Sequence, residues 1–473
     1  MASECRNMFY ENKKQETTEL AIRLAEPLLC PKRHYLMSTS FHKLTMAVGG
    51  ANTFHKWPTR SRAYFDRYEP RYKLVIINPA PFSWLRNIDV VSRTFAGMDP
   101  GTMSCVDLET VRSLIAETEN DADIAIITTD EQPACKPGDN FGSDITRLAL
   151  TYKVDRSTKE ISLIVKRPFE DIGRRRVTEC DAGFANERLW YLEMVEDLAL
   201  DVVCRCWPMG DALILEDIST RGYTRGDRIA GLDHRQMTLS LKTLGRIHGA
   251  ALSLKASNRT VYESYAGRMN ETILARSKFG HALDMCIGEN ADLLEAIGMS
   301  SEAERLRLMS ANTLYALMDE ETSRRTNLNT ICHGDYWANN LFFRYGSEGA
   351  TDCRVLDFQT IREGPAAADI VTLLATNRRI EDEVSLIEKY LGAVRYAAGG
   401  SAFDPLDLAE QLNRFRSYGI LIGLYYLPAV LMDEEYALAI ARMDTRRMEN
   451  ARKALLARKE YKERLVDLVQ RYL

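Results

Sequence analysis

His333-Gly334-Asp335-Tyr336-Trp337-Ala338-Asn339-Asn340 is the stretch on which the fold of this chain turns. Taken alone, an aspartate after a glycine is most simply a turn residue that bonds its own backbone. The residues downstream of Asp335 outweigh that reading. Asn340 stands five positions after Asp335, and the apolar run Asn340-Leu341-Phe342-Phe343 is answered by Cys353-Arg354-Val355-Leu356-Asp357 across a glycine-containing turn at 346–349. The two runs read as an antiparallel hairpin. The chain leaving Asn340 then pairs with the chain arriving at Asp357, and both side chains finish at the same open end. Phosphoryl transfer from a nucleotide needs such a set, because its catalysis is mostly positioning and electrostatics: a base for the attacking hydroxyl and hard oxygen ligands for Mg2+. Asp335 is accordingly the candidate base, and Asn340 and Asp357 are the candidate metal ligands. His333 is expected to hold the loop and not to move protons.

The chemistry also needs a cation on the phosphates. Lys166 ends the apolar strand Ile161-Ser162-Leu163-Ile164-Val165-Lys166, and a strand-end lysine is by default solvated. Glu187 changes that expectation. In a helix read from Phe184 to Leu198 it shares the face of Phe184, Tyr191, Met194 and Leu198, so it points with the apolar stripe. A buried carboxylate needs a cation or must take up a proton, which predicts a Lys166–Glu187 ion pair that also turns the lysine onto phosphates. Pro137-Gly138-Asp139-Asn140-Phe141-Gly142-Ser143 lies just before the strand that leads to this lysine, where a phosphate-covering loop would stand. Gly138 and Gly142 would let its backbone approach an anion; an ordinary surface turn is the alternative. Glu216-Asp217-Ile218, after the buried strand Ala212–Leu215, is placed to offer backbone groups to an adenine edge, with a simple loop as the alternative. His248 reads as a packed core residue and Arg174–Arg176 as a solvated loop. Tyr336 and Trp337 fit either a substrate-pocket wall or local packing.

The surrounding chain suits such a site. Its 473 residues, 45% hydrophobic and 27% charged, suffice for one large bilobal core or two to three ordinary domains. A net charge of -5 gives no basic field for nucleic acid. The ten cysteines are scattered without metal or disulfide spacing, which fits reduced thiols and a cytoplasmic location. The polar N-terminus lacks a secretory core. The apolar stretch Gly419–Met432 is short and holds Pro428, so it reads as a buried helix and no membrane insertion is expected. Residues 1–102 are proline-interrupted, with one strand signal at Lys73–Ile77, and form an N-terminal extension of uncertain fold. Residues 103–218 are strand-rich, in the order strand, strand, helix, strand after a first helix at Asp107–Glu117 and a strand at Asp123–Thr129. Residues 219–473 are mostly helical, with stripes at Met237–Leu252 and Ala291–Leu317.

Together GDNFGSD (138–144), LIVK (163–166), FANERLWY (184–191), LILEDI (213–218), LGRIHGAAL (244–252), HGDYWANNLFF (333–343), VLDFQ (355–359) and YGILIGLYYLP (418–428) resemble the ecdysteroid kinase-like family. This family, also called CHK kinase-like, lies within the aminoglycoside phosphotransferase and choline kinase superfamily. The resemblance runs from about Met103 to about Met432. It implies an α+β, bilobal protein-kinase-like fold with a small antiparallel-sheet N-lobe and a larger, mostly helical C-lobe. It also implies ATP and Mg2+ as cofactors, Lys166 and Glu187 as the phosphate-orienting pair, Asp335 as base, and Asn340 and Asp357 on the metal. By the same match Asp369 braces the catalytic loop, a helix N-cap being the alternative. A protein substrate is disfavoured: Gly334 stands where an arginine would read a phosphorylated loop, Gln359 replaces a glycine of the usual metal motif, and eleven residues separate Asp357 from Asp369. A small hydroxylated molecule is the expected acceptor, an ecdysteroid or other lipophilic alcohol ahead of choline-like or aminoglycoside-like ones. A nucleotide- or steroid-binding protein without catalysis is the competing class.

Overall fold

Alternation of apolar and polar residues from residue 144 onward generates a long hairpin. In the computed structural model, which describes residues 106–136, 142–272, 276–324, 328–399, 404–442 and 444–473, helix α1 (Leu108–Glu119) is followed by strands β1 (Ile124–Pro133), β2 (Asp144–Val154) and β3 (Ser157–Arg167). The expectations for residues 1–102 and 137–141 lie outside the described residues. In β2, Leu148, Leu150, Tyr152 and Val154 face inward against Val111, Leu114 and Ile115 of α1, the period-2 pattern meeting one helical stripe. Asp107 caps α1 by accepting from the Glu109 amide.

After the short helix α2 (Ile172–Val177) comes α3 (Cys180–Leu189), which continues through a π turn at Trp190–Met194 and a last turn at Val195–Asp197. Strands β4 (Cys206–Met209) and β5 (Ala212–Glu216) complete a five-stranded antiparallel sheet of order β1-β2-β3-β5-β4. Strand β4 was not legible in the sequence because Pro208 lies inside it; at the sheet edge its missing N–H is tolerated. Arg174–Arg176, expected as a loop, belongs to α2, which Asp171 caps through the Arg174 amide, and the Arg174 guanidinium covers the Phe169 ring at 3.7 Å.

The helical lobe starts at β6 (Tyr223–Arg225) and α4 (His234–Ser257), opened by a capping box between Asp233 and Gln236. Helices α5 (Arg259–Ala266), α6 (Arg276–Ala296), α7 (Ser300–Arg307) and α8 (Ala311–Ser323) follow. Two small sheets then frame the segments bearing Asp335 and Asp357: β7 (Asn329–Cys332) pairs with β10 (Arg362–Pro365), and β8 (Leu341–Gly346) lies between β6 and β9 (Gly349–Val355). The lobe closes with α9 (Ala366–Thr376), α10 (Glu383–Ala397), α11 (Pro405–Arg414), α12 (Arg416–Leu431), α13 (Glu434–Ala441), α14 (Thr445–Ala457) and α15 (Lys459–Tyr472). The fold is the expected α+β, bilobal one, a small antiparallel-sheet lobe followed by a larger, mostly helical lobe. Helix α12 includes Pro428 and is buried almost throughout. Among the described residues no helix is long and apolar enough to cross a membrane.

Helices α4 and α10 pack closely in this lobe, and glycine makes the approach possible. A β-carbon at Gly245 would stand 2.6 Å from the Tyr390 carbonyl oxygen, and one at Gly249 2.6 Å from that of Val394. Gly249→Ala is expected to lower the unfolding free energy by about 1–3 kcal/mol through overpacking, although alanine is the better helix former by about 1 kcal/mol. The urea midpoint measures this, and a raised midpoint would contradict the close approach.

Candidate active site

Strand β3 ends at the cleft between the lobes, and its Lys166 is buried there. The ammonium lies 2.8 Å from Glu187 on α3 and 2.7 Å from Asp357, which follows β9. Glu187 is fully buried, while the Asp357 side chain is 32% exposed toward the cleft. Burial pulls the Lys166 ammonium down, but the two carboxylates outweigh it and leave it above the ordinary lysine value. Burial likewise drives the Glu187 carboxyl above the usual glutamate range against the pull of Lys166. The backbone of Asp357 is left-handed, with φ +69°. A non-glycine residue holds that conformation only where its surroundings over-determine it. Here they do: Leu356 N–H donates to the Asn340 carbonyl at 3.0 Å, and Phe358 is buried against Trp190 in a stack at 4.1 Å, with Tyr191 at its edge. The π turn that sequence periodicity could not show is what brings Trp190 onto this ring.

The loop bearing Asp335 is built on the hairpin geometry. Both hydrogens of the Asn340 amide go to Asp335, at 2.9 Å to its carbonyl and 2.8 Å to Oδ2, so the amide oxygen faces away from the aspartate. Asp335 Oδ1 accepts a hydrogen bond from the Tyr426 hydroxyl of α12. Burial raises the Asp335 carboxyl above the ordinary aspartate value, with the Tyr426 and Asn340 hydrogen bonds opposing. The Tyr426 phenol is driven far above the usual tyrosine value by burial and by Asp335, so it keeps its proton and donates. His333 Nδ1 accepts from the Asp335 amide at 3.2 Å, which puts the ring proton on Nε2, 3.1 Å from the Leu356 carbonyl. The imidazole thus ties the loop to the strand that delivers Asp357.

Asp369, in the first turn of α9 and not at its N-cap, anchors the loop from below. Its carboxylate accepts from the His333 amide at 2.7 Å and the Gly334 amide at 2.9 Å, and His248 Nε2 lies 3.2 Å away. Tyr390 in turn bonds His248 Nδ1 at 2.9 Å. His248 is buried, as a core residue would be, but it sits in this chain of hydrogen bonds. Burial alone would raise the Asp369 carboxyl; the hydrogen bond and field of His248, with the Arg362 guanidinium, outweigh it and hold it low. Gly334 has φ +84°, and a β-carbon there would meet the Thr360 carbonyl and lie 2.8 Å from Arg362 Nη1. The guanidinium of the buried Arg362 therefore packs where a side chain at 334 would begin.

A cleft is lined by Lys166, Glu187, Asn340 and Asp357, by the apolar Ile164, Leu215, Phe342 and Leu356, and by Glu216, Asp217 and Ile218. Asp217 spends its side chain on structure: it bonds Arg147 and Ser162 at 2.8 and 2.7 Å and caps a 3-10 turn at Ile218–Arg221. Of the loop expected to cover phosphates, Gly138, Asp139, Asn140 and Phe141 lie outside the described residues. Gly142 and the buried Ser143 are described, and the Gln359 side chain packs between Gly142 and Gly183 of α3. Tyr336 is core, its hydroxyl bonding the Ser240 carbonyl at 2.7 Å, and Trp337 packs edge-on against Tyr426. The sequence reading missed Asn186. Its amide nitrogen donates to the Asn270 and Gln359 carbonyls at 2.7 and 2.9 Å, and its oxygen accepts from the Asn270 amide at 2.7 Å, so it pins α3 to the segment after Asp357. A polar residue beside Glu187 on an apolar helix was the available signal. Asn340 and Asp357 both line the cleft and carry hard oxygen donors, a donor set that fits Mg2+.

The ecdysteroid kinase-like family model matches residues 137–395. The chain belongs to the ecdysteroid kinase-like family. The matched span contains every candidate residue from Gly138 to Asp369, and Tyr426 lies beyond it. An uncharacterized kinase-like protein of Caenorhabditis elegans is 21% identical over 183 residues, 38% of this chain and 45% of that protein, so the match spans less than half the relative's length. Among solved structures, an ethanolamine kinase of Plasmodium vivax has a TM-score of 0.39 at 13% identity, over 75% of this chain and 89% of that one. A choline kinase of Streptococcus pneumoniae has a TM-score of 0.33 at 14% identity, over 74% and 99%.

Asp369→Ala would leave two backbone N–H groups and His248 without their acceptor. Breaking one partner of a buried polar cluster is expected to cost about 3–5 kcal/mol of stability. Chemical denaturation measures it, and an unchanged midpoint would contradict the brace.

Proposed function

We propose that this member of the ecdysteroid kinase-like family transfers the γ-phosphate of ATP to a hydroxyl of a small molecule, with an ecdysteroid-like or other lipophilic alcohol as the favoured acceptor. The observation that carries this reading is the Lys166 ammonium held between Glu187 and Asp357 in the cleft that also presents Asn340, which in turn holds Asp335. Lys166 orients the phosphates while Glu187 holds the lysine. Asn340 and Asp357 would hold Mg2+, which would neutralise charge on the phosphates. The apolar stretch of the cleft beside Glu216, Asp217 and Ile218 receives the adenine. Asp335 takes the proton of the acceptor hydroxyl as its oxygen bonds to the γ-phosphorus and the bond to the ADP oxygen breaks. Aromatic side chains lie next to Asp335 on the helical side: Tyr426 directly, Trp337 and Tyr425 against Tyr426, and Phe279 against Tyr425. That cluster suits an apolar acceptor body.

Incubation with γ-labelled ATP and a panel of ecdysteroids, sterol-like alcohols and choline identifies the acceptor by transfer of label. Asp335→Asn is expected to lower turnover by about 10²–10⁴-fold, the usual worth of a general base, while Mg-ATP binding persists in a thermal-shift assay. An unchanged rate would remove Asp335 as base. The pH profile gives a separate check. Because Asp335 is raised above the ordinary aspartate value, kcat/KM should fall, as pH is lowered, through a pKa above that value as the base is protonated. An acid limb at or below the usual aspartate range would contradict this.

A further inference from the structure

Neither oxygen of Asp335 lacks a donor. Asn340 holds Oδ2 at 2.8 Å, and the Tyr426 hydroxyl holds Oδ1. The Tyr426 ring is itself fixed, with Trp337 at 5.3 Å and Tyr425 at 5.4 Å in edge contacts, and Tyr425 lies 4.6 Å from Phe279. A hydrogen bond donated to a carboxylate oxygen takes one of its lone pairs and stabilises the charged form, so it weakens the group as a base toward an incoming hydroxyl. As long as the phenol donates to Oδ1, a water molecule entering the half-buried site competes poorly for it, since exchange would leave a buried phenol without a partner. An alcohol acceptor bound against the neighbouring aromatic side chains brings binding energy of its own to that exchange.

We propose that Tyr426 is a specificity-determining gate on the base: its phenol occupies Asp335 Oδ1 until an alcohol acceptor displaces it, so that the γ-phosphate is not lost to water. The proposal rests on the phosphotransferase reading and adds discrimination between acceptor and solvent. The suppressed reaction is ATP hydrolysis. In it the water oxygen bonds to the γ-phosphorus, the bond to the ADP oxygen breaks, and the water proton passes to Asp335 and on to solvent, leaving ADP and inorganic phosphate. Tyr426→Phe removes one hydroxyl and leaves the ring contacts in place.

The test is phosphate release from Mg-ATP by the full chain without any acceptor, beside Mg-ATP affinity by titration calorimetry. Tyr426→Phe is expected to raise hydrolysis about tenfold, a part of what a freed general base supplies, with affinity for Mg-ATP unchanged. Adding Asp335→Asn to Tyr426→Phe should abolish the gain. A merely structural tyrosine would give a loss or no change on removal of its hydroxyl. An unchanged or lower hydrolysis rate in Tyr426→Phe, with Mg-ATP binding intact, would overturn the gate while leaving the phosphotransferase reading standing. A gain that survives Asp335→Asn would also overturn it, because the water would then not be using this base. Absence of Mg-ATP binding by the unsubstituted chain would overturn the phosphotransferase reading and the gate with it.

Discussion

One ammonium shared by two carboxylates organises this molecule. Lys166 comes from the sheet, Glu187 from the helix behind it and Asp357 from the hairpin of the other lobe, so the contact joins three segments distant in sequence. Glu187 is fully buried, and a buried carboxylate without a cation is costly or neutral. Loss of the lysine would therefore leave Glu187 either costly or protonated. Asp357 is different, because its side chain keeps access to the cleft and can exchange the lysine for another cation. That asymmetry separates a permanent pair from a changeable one. In the proposed reaction the fixed cation would meet the phosphates and the changeable carboxylate would meet the metal.

The arrangement is held without a long regulatory segment. The path from Asp357 to Asp369 is short, and polar groups along it are used in bracing. The Gln359 carbonyl receives Asn186, Thr360 bonds the His333 carbonyl at 2.7 Å, and Asp369 receives the His333 and Gly334 amides. Helix α3 is thereby tied both to the segment after Asp357 and, through Asn270, to the loop after α5. Such a buried hydrogen-bond network favours one geometry over its alternatives. In this chain the lobe interface is set by packing and hydrogen bonds already present in the fold.

Much of the frame was legible because it follows simple periods. Leu148, Leu150, Tyr152 and Val154 alternate, Met237, Leu241, Leu244 and Ile247 recur at helical spacing, and each pattern buries the face it marks. The proximity of Asn340 and Asp357 was legible for the same reason, since a hairpin with a short turn leaves its ends no freedom. What escaped was polar and long-range. No local pattern says that Tyr426, on a helix apolar on nearly all sides, turns its hydroxyl to Asp335. None says that Asn186 reaches two backbone segments, or that Arg362 fills the space beside Gly334. The π turn at Trp190–Met194 adds a residue that an ideal helical period does not contain. Strand β4 was hidden by Pro208, whose tolerance depends on a sheet edge that only the assembled fold defines.

The most direct measurement is a crystal structure of the full chain with Mg2+ and a non-hydrolysable ATP analogue. The expected result keeps Lys166 on Glu187, places the same ammonium on phosphate oxygens, and moves Asp357 from the lysine to an Mg2+ that it shares with Asn340. A nucleotide bound elsewhere, or one bound in the cleft with Asp357 still on Lys166 and no metal on Asn340, would contradict the assignment of this site to phosphoryl transfer.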